Sequence, residues 1–418
     1  MNMGKVHIIG AGLAGLAAAT KLATTGRHIH IYEAAGQAGG RCRSYFDATL
    51  GVKIDNGNHL VLEANVATRD YLHRIGGLSA MHRIDQPRVD FIDLTTKERW
   101  SVQPNKGLIP WWIFSPARRV LGTRAWDYLS ALKLMLPGPR TITQQMNTKS
   151  VLFKRLWEPL FIAVLNTPLA EADSAPMWRV LIEIFSRGGK AMGPMVPHAG
   201  LGDAFVEPAL KLLDLRGARV HFNHRLRGVT IGQNRVTSLD FGGEVIEIDP
   251  DDRIILATPA QVTAELLPDM ILPQKFAPIL NAHYRIDPPP GMTGILGVIG
   301  GHAEWIFPKP GLLSVTVSAA EKLIDGDREE LARLLWQDVA FACGLDATVM
   351  PPWQIVKEKR ATFRADSETL ARRPKAKTYL KNMVLAGDYT DTGLPATIEG
   401  AIRSGNLAAR LVSSADFG

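Results

Sequence analysis

Apolar positions come in short β-branched runs near both ends of the chain. Val6-His7-Ile8-Ile9 reads as a strand and leads into Gly10-Ala11-Gly12-Leu13-Ala14-Gly15. An Ala/Leu-rich helix to about Thr24 follows, then a second strand, His28-Ile29-His30-Ile31-Tyr32, closed by Glu33. Farther on, Phe205, Val206, Ala209, Leu210 and Leu213 recur at spacings of three and four, which predicts a helix over 201–215. Short alternating segments at Arg219–Phe222, Arg225–Ile231, Arg235–Phe241 and Val245–Ile248 predict a β-meander, ended by the run Arg253–Pro259. Leu312–Val317 predicts a strand and Arg328–Cys343 a helix. Met383-Val384-Leu385-Ala386 predicts a buried strand, with a helix opening near Ala396–Ala401. Residues 70–195 read as mostly helical, broken by Pro and Gly. The expected class is α/β, a Rossmann-like nucleotide-binding domain with an inserted α+β domain. Residues 1–69, 196–260 and 375–418 are assigned to the first, and 70–195 and 261–374 to the second.

The opening segment has the order strand, GxGxxG, helix, strand, acid, and Glu33 follows Gly15 by 18 residues, near the ~20 of the dinucleotide fingerprint. Gly10 permits the tight turn, Gly12 lets backbone approach a pyrophosphate, and Gly15 lets the helix pack on the strand. The helix N-terminus offers free N–H groups and a positive dipole end to phosphate. Glu33 can accept both ribose hydroxyls of an adenosine.

The next residues separate the cofactor classes. Gly39-Gly40-Arg41 brings a cation back to the same phosphates, Asp55-Asn56-Gly57-Asn58-His59 is a turn, and the C-terminal part carries Gly387-Asp388 and Thr397-Ile398-Glu399-Gly400-Ala401 with Ser404-Gly405. Together these resemble the FAD-binding amine oxidase and carotenoid desaturase superfamily. The resemblance implies FAD, held by Gly10, Gly12, Leu13, Ala14, Gly15, Glu33, Ala34, Gly39, Gly40, Arg41, Gly57, Asn58, His59, Val229, Gly387, Asp388, Thr397, Ile398 and Ala401. In it, Arg41 lies against the pyrophosphate, Val229 contacts the adenine through its backbone, and the Thr397–Ile398 backbone faces the flavin O2. Glu399 also reads as a plain helix-terminus charge.

Leu156-Trp157-Glu158-Pro159-Leu160, Leu165-Asn166-Thr167-Pro168 and Val196-Pro197-His198-Ala199-Gly200 are similar to segments of the squalene-associated FAD-dependent desaturase-like family. That likeness implies hydride delivery from reduced FAD to the allylic carbon of hydroxysqualene, giving squalene and water in hopanoid synthesis. A proton donor is then needed for the leaving hydroxyl, and His59 and Asp391 are the candidates, with Tyr389 a third. A carotenoid or isoprenoid desaturase, an amine oxidase and a non-catalytic prenyl-lipid-binding protein of the same fold remain alternatives. No second GxGxxG unit occurs, so electrons come from the substrate, an external carrier or a nicotinamide pocket without that signature.

Charge adds a partner. The net charge is +7, and between Lys106 and Arg155 nine basic residues face one acid, Asp127. Gly107-Leu108-Ile109-Pro110-Trp111-Trp112-Ile113-Phe114 carries no charge, and Arg118 and Arg119 follow. Aromatic rings beside cations suit a bilayer interface. The segment is too short to span and long enough to lie in one leaflet. The region Gly107–Arg119 is therefore expected to hold the protein peripherally on the cytoplasmic face of a bacterial membrane. Two cysteines, Cys42 and Cys343, make no disulfide framework and fit a reducing compartment. Neither a metal site nor a nucleic-acid-binding motif is indicated.

Overall fold

The computed structural model describes residues 4–83, 87–136, 138–292, 294–414 and 417. Two sheets organise it. The first is parallel, with strands in the order Arg219–His221, Ile29–Tyr32, Val6–Ile9, Arg253–Leu256 and Met383–Leu385. Its central strand Val6–Ile9 is buried along its whole length, as a sheet covered on both sides requires, and the one polar side chain on it, His7, is bonded to Asp252 and Tyr32. The helices Leu13–Leu22 and Ile398–Ser413 pack on it and on each other.

Two glycines set how closely these parts approach. A Cβ on Gly15 would stand 1.9 Å from the Gly10 carbonyl oxygen, and one on Gly405 would stand 2.1 Å from that of Ala14. The first contact seats the helix on its strand, and the second seats the C-terminal helix on the N-terminal one. Chain segments nearly 400 residues apart thus share one backbone-to-backbone seam.

The second sheet is mixed and seven-stranded, in the order Trp353–Phe363, Phe276–Tyr284, Leu312–Val317, Trp305–Lys309, Leu296–Ile299, Val89–Asp93 and Arg99–Val102. Only the pairing of Leu296–Ile299 with Val89–Asp93 is parallel among the described residues. Helix Arg328–Cys343 covers one face, with Trp336 packed against Tyr284. Helices Glu158–Leu165 and Ser174–Phe185 belong to the apolar cluster at the far end, with Phe91 and Trp305.

Three features depart from the sequence reading. Arg219–His221 is not part of the meander but the edge of the parallel sheet, where the His221 ring stacks on Tyr32 at 4.8 Å and the Glu33 N–H donates to the His221 carbonyl. The meander keeps three strands, Gly228–Gly232, Arg235–Asp240 and Val245–Glu247. Residues 70–195 are not helical throughout, since after helix Val66–Ile75 the segments Met81–Arg83, Val89–Asp93 and Arg99–Val102 are strands and Phe91 stacks on Trp100. The helix over 201–215 opens as a π-turn, Gly202–Val206, before Glu207–Leu215. Pro208 follows that turn and cannot donate to the carbonyl four residues back, so the wider turn accommodates it. Pro159 stands the same way after the π-turn Phe153–Trp157.

The Gly405 seam gives a stability test. Gly405→Val should destabilise by about 1–3 kcal/mol through overpacking. The measurement is the thermal unfolding midpoint, expected to fall by several degrees; an unchanged midpoint would show that the two helices separate freely.

Candidate functional site

A cavity of about 1280 Å³ begins outside the carboxyl ends of the parallel strands, where open α/β sheets bind ligands. Gly10, Gly12, Leu13, Ala14, Glu33, Ala34, Gly39, Gly40 and Arg41 form one wall. Gly57, Asn58 and His59 form another, with Gly387, Asp388, Thr397, Ile398 and Ala401 opposite. The cavity then continues between the seven-stranded sheet and the helices Glu158–Leu165 and Ser174–Phe185. Its volume exceeds the ~300–1,000 Å³ of an ordinary single-ligand pocket. Two occupants end to end account for it.

The nucleotide end is built from backbone. Gly10 has φ +106°, which only glycine adopts without strain, and a Cβ on Gly12 would meet nothing within 4 Å. No side chain caps helix Leu13–Leu22, so its first-turn N–H groups face the cavity. Glu33 is held at the strand end by two backbone donors, Ala11 N to Oε2 (2.8 Å) and Ala35 N to Oε1 (2.9 Å). Arg41 Nη2 donates to Asp388 Oδ1 at 2.7 Å, and Nη1 donates to the Ala361 carbonyl at 2.6 Å. Asp388 holds the guanidinium pKa above its usual value. This pair joins the two sequence motifs, and the free face of Arg41 looks into the cavity. Uncapped helix, ribose-accepting carboxylate and cation fit the pyrophosphate and adenosine of FAD.

The loop bearing Asp388 is shaped by a residue the motifs did not single out. Arg373 donates to the carbonyls of Asp388 (3.1 Å), Thr390 (2.5 Å) and Leu394 (2.8 Å). Ser404 Oγ accepts from Gly387 N at 3.0 Å, which explains the Ser-Gly pair of the last helix. Thr397 caps that helix by accepting from Gly400 N (3.0 Å). Glu399 is buried and caps a different helix, Val66–Ile75, accepting from Ala67 N (3.1 Å) and Thr68 N (2.8 Å) while Arg403 donates to it (2.8 Å).

The turn after Asp55 is tied from behind. Asp55 is buried, accepts from Ser44 Oγ, Leu201 N and Lys309 Nζ, and has its pKa lowered; burial alone would raise it, and Lys309 overcomes this. The next residues are thereby set in the cavity wall. His59 lies there with Nδ1 donating to the Gly57 carbonyl at 3.1 Å, leaving Nε2 as the free ring nitrogen. Burial pulls the His59 pKa down.

Not every expected residue reaches the wall. Gly15 is spent on helix packing. Val229 pairs with Leu239 in the meander and lies beyond the wall, which ends at Arg227 on that side. Asp391 is exposed and turned away, its N–H bonded to the Pro374 carbonyl (2.8 Å). Tyr389 lines the cavity, but its hydroxyl meets Thr263 Oγ1 at 3.0 Å and burial pushes its pKa up. The segment Leu165-Asn166-Thr167-Pro168 proves to be a joint. Asn166, in the left-handed conformation after helix Glu158–Leu165, donates to the Ala277 carbonyl and to Thr362 Oγ1 and accepts from Ala319 N. It fastens the helix that roofs the chamber to two strands of the substrate-side sheet and to the turn after a third. Among the described residues there is no cluster of three His, Cys, Asp or Glu fit for a metal ion.

A nucleotide cleft of this form on a parallel sheet, opening into a second sheet's chamber, defines a flavoprotein oxidoreductase. The chain belongs to the flavin containing amine oxidoreductase family, whose profile matches residues 13–413, and FAD is its cofactor. Within that family it groups with proteins named hydroxysqualene dehydroxylase. It is 46% identical to the one from Sinorhizobium fredii over 98% of both chains. It is likewise 46% identical to the one from Rhodopseudomonas palustris, again over 98% of both chains. Its fold matches a cyclohexylamine oxidase from Brevibacterium oxydans with a TM-score of 0.69, at 16% identity and over 98% of each chain.

Glu33 gives the test of the nucleotide end. Glu33→Ala removes the ribose acceptor and the anchor of the Ala11 and Ala35 N–H groups. The purified variant should carry less than half the flavin per chain of the parent, read from absorbance after gel filtration; equal occupancy would remove Glu33 from the site.

Proposed function

We infer that the protein removes the hydroxyl of hydroxysqualene reductively, giving squalene and water in squalene and hopanoid synthesis. The observation that carries this reading is the near-full-length similarity to proteins named for that reaction. The chamber supports it: beyond the nucleotide end its walls include Leu156, Trp157, Leu160, Val180, Leu181 and Phe307, a surface suited to a long hydrocarbon.

The chemistry sets what the residues must do. Hydride to an allylic carbon is what reduced FAD supplies when bound. Gly12, Leu13 and Ala14 would hold its pyrophosphate, Glu33 its ribose, and Arg41, braced by Asp388, its charge. The apolar walls exclude water, so a developing allylic cation meets no competing nucleophile. The departing hydroxyl needs a proton, and His59 is the one sequence-proposed acid in the wall with a free ring nitrogen. Its imidazolium is disfavoured by burial, so the acid form grows as pH falls. Two electrons are consumed per turnover, so an external reductant completes the cycle.

The lipid substrate gives a purpose to the basic, aromatic surface. Leu108, Ile109, Trp111 and Phe114 are exposed, and Trp126, Leu129, Leu132 and Met135 extend the same character. Arg118 lies over the Trp111 ring at 4.9 Å and Arg124 over Trp126 at 5.6 Å. The adjacent tryptophans divide, Trp111 being 50% exposed and Trp112 only 3%. Trp112 lines the chamber. Backbone bonds from Gly189 and Lys190 to the Gly107 and Lys106 carbonyls hold this loop beside the end of helix Ser174–Phe185, whose Ile184 and Phe185 also line the chamber. The surface would rest on the cytoplasmic leaflet, with the substrate passing from lipid into the chamber. No helix among the described residues is long and apolar enough to cross a membrane.

Two measurements test these readings. Anaerobically reduced protein mixed with hydroxysqualene should reoxidise its flavin in step with squalene formation, faster as pH falls toward a value below the usual histidine 6.5. His59→Ala should keep its flavin and lose that pH dependence. Flavin that stays reduced would redirect the assignment to oxidised enzyme acting on isoprenoid hydrocarbons. For the surface, Trp111→Ser with Trp126→Ser should cut sedimentation with anionic liposomes several-fold, and undiminished sedimentation would refute the membrane contact.

A further inference from the structure

At its nucleotide end the cavity is lined by cations beyond those assigned to FAD. Arg225 and Arg227 stand on one flank, just after His224, whose N–H donates to the Glu33 carbonyl at 2.9 Å. Lys357, Lys359 and Arg360 stand on the other, just before Ala361, whose carbonyl holds Arg41. Arg225, Arg227, Lys359 and Arg360 are exposed. Two acids line the cavity among them. Glu358 is half-buried and accepts from Asn56 Nδ2 at 3.2 Å, and Glu265 is exposed.

The second flank is shaped by a bulge. Strand Trp353–Phe363 is an edge of the seven-stranded sheet. Thr362 registers with Ala277 and Glu358 with Ile279, so Lys359, Arg360 and Ala361 stand opposite Pro278 alone. Proline offers the ladder no N–H, and a bulge bends its strand and re-aims the side chains on it. Lys357 and Lys359 are tied to the Gly326 carbonyl and to Asp325. The side chains of Arg360, Arg225 and Arg227 make no hydrogen bond or ion pair among the described residues. Charges of one sign lining a cleft focus its field and raise the local concentration of oppositely charged partners.

The FAD pyrophosphate has the helix N-terminus and Arg41, so three further free arginines exceed what it needs. The reductive reaction also requires two electrons from outside in each turnover. A hydride donor has to touch the flavin. That place lies toward the chamber, whose apolar walls suit a hydrocarbon and not the phosphates of a nicotinamide dinucleotide. A one-electron carrier has only to come near. We propose that the rim formed by Arg225, Arg227 and Arg360 docks an acidic one-electron carrier protein of the flavodoxin or ferredoxin kind. This rests on the reductive reading of the reaction. Two reduced carriers each lose one electron per turnover and leave oxidised, and FAD takes up both electrons with protons from solvent. Lipid and reductant then use different ends of one cavity, and neither has to leave before the other binds.

The test follows the flavin absorbance of the FAD-loaded protein anaerobically, with reduced flavodoxin and, separately, reduced plant-type ferredoxin as donors. With at least one of them the second-order rate of flavin reduction should fall about tenfold or more between about 0.01 M and about 1 M salt, as the screening length drops from about 30 Å to about 3 Å. Arg227→Glu with Arg360→Glu should slow that reduction about tenfold at low salt and weaken carrier binding measured by surface plasmon resonance. Flavin content, and reduction by photoreduced 5-deazariboflavin, which is uncharged, should stay at the parent's level. No reduction by either carrier, or rates indifferent to salt and to the substitutions, overturns the docking. Loss of flavin from the variant would assign the arginines to the cofactor's phosphates and overturn it too, as would saturable reduction by NADH or NADPH that the variant loses. Protein reduced by the deazaflavin and mixed with hydroxysqualene separates the two readings. Squalene formed by a protein that takes no electrons from either carrier overturns the docking alone, and no squalene overturns the dehydroxylase reading whatever the carriers do.

Discussion

The pairing of Arg41 with Asp388 is the contact on which the site depends. It joins residues 347 positions apart and closes the cleft from two sides. Neither charge is there for stability in itself, since removing ions from water costs most of what their attraction returns. What the pair fixes is place. Asp388 holds the guanidinium at one spot, the Ala361 carbonyl holds it from a second direction, and the remaining face is left for a phosphate. The Asp388 loop would not hold its shape without Arg373, whose guanidinium gathers four of its carbonyls. One half-buried cation, Arg373, shapes the loop, the loop places an anion, and the anion places the cation that meets the cofactor.

The same economy recurs around the cavity. Glu399 and Asp55 are buried carboxylates, and each terminates or joins backbone rather than facing the reaction. Asn166 does so with a neutral amide. Polar groups in the wall are therefore mostly consumed by structure. The chamber stays apolar although charged residues lie close behind it, and the few groups with spare capacity stand out by contrast.

The nucleotide end was largely legible in the sequence because backbone geometry dictates it. A positive φ at Gly10 and the 1.9 Å approach at Gly15 leave little choice of residue, so glycine spacing carries the information. The far half of the cleft was legible only through resemblance, since Asp388 means nothing until folding brings it to Arg41. Other features left no local signal. Arg219–His221 has the look of any meander strand, and the contacts that hold it at the parallel edge, His221 against Tyr32 and His30, join residues far apart in the chain. Val229 was expected through resemblance and Asp391 through its neighbourhood in sequence; neither lines the cavity, Val229 being paired with Leu239 in the meander and Asp391 exposed on its loop. Arg373 and Asn166 act through carbonyls scattered over the chain, and carbonyls carry no sequence signature. Trp111 and Trp112 are adjacent and alike, yet a short 3₁₀ turn sends one to the surface and the other into the chamber wall.

That divided pair bears on how a hydrocarbon reaches a site where charge must develop. An apolar chamber reached through water would demand that the lipid be desolvated at its mouth. If the mouth lies against lipid, no water need be displaced, and the walls have only to match the membrane interior. Entry is then nearly neutral in free energy, and affinity has to come from elsewhere. A long isoprenoid chain could slide to many equivalent positions along such walls. Specificity therefore falls to the one feature the chain does not repeat, its hydroxyl, and to whichever wall groups can pair with it. A chamber that spends almost every polar group on its own architecture can distinguish that position only through the few wall groups that keep a free atom, His59 among them.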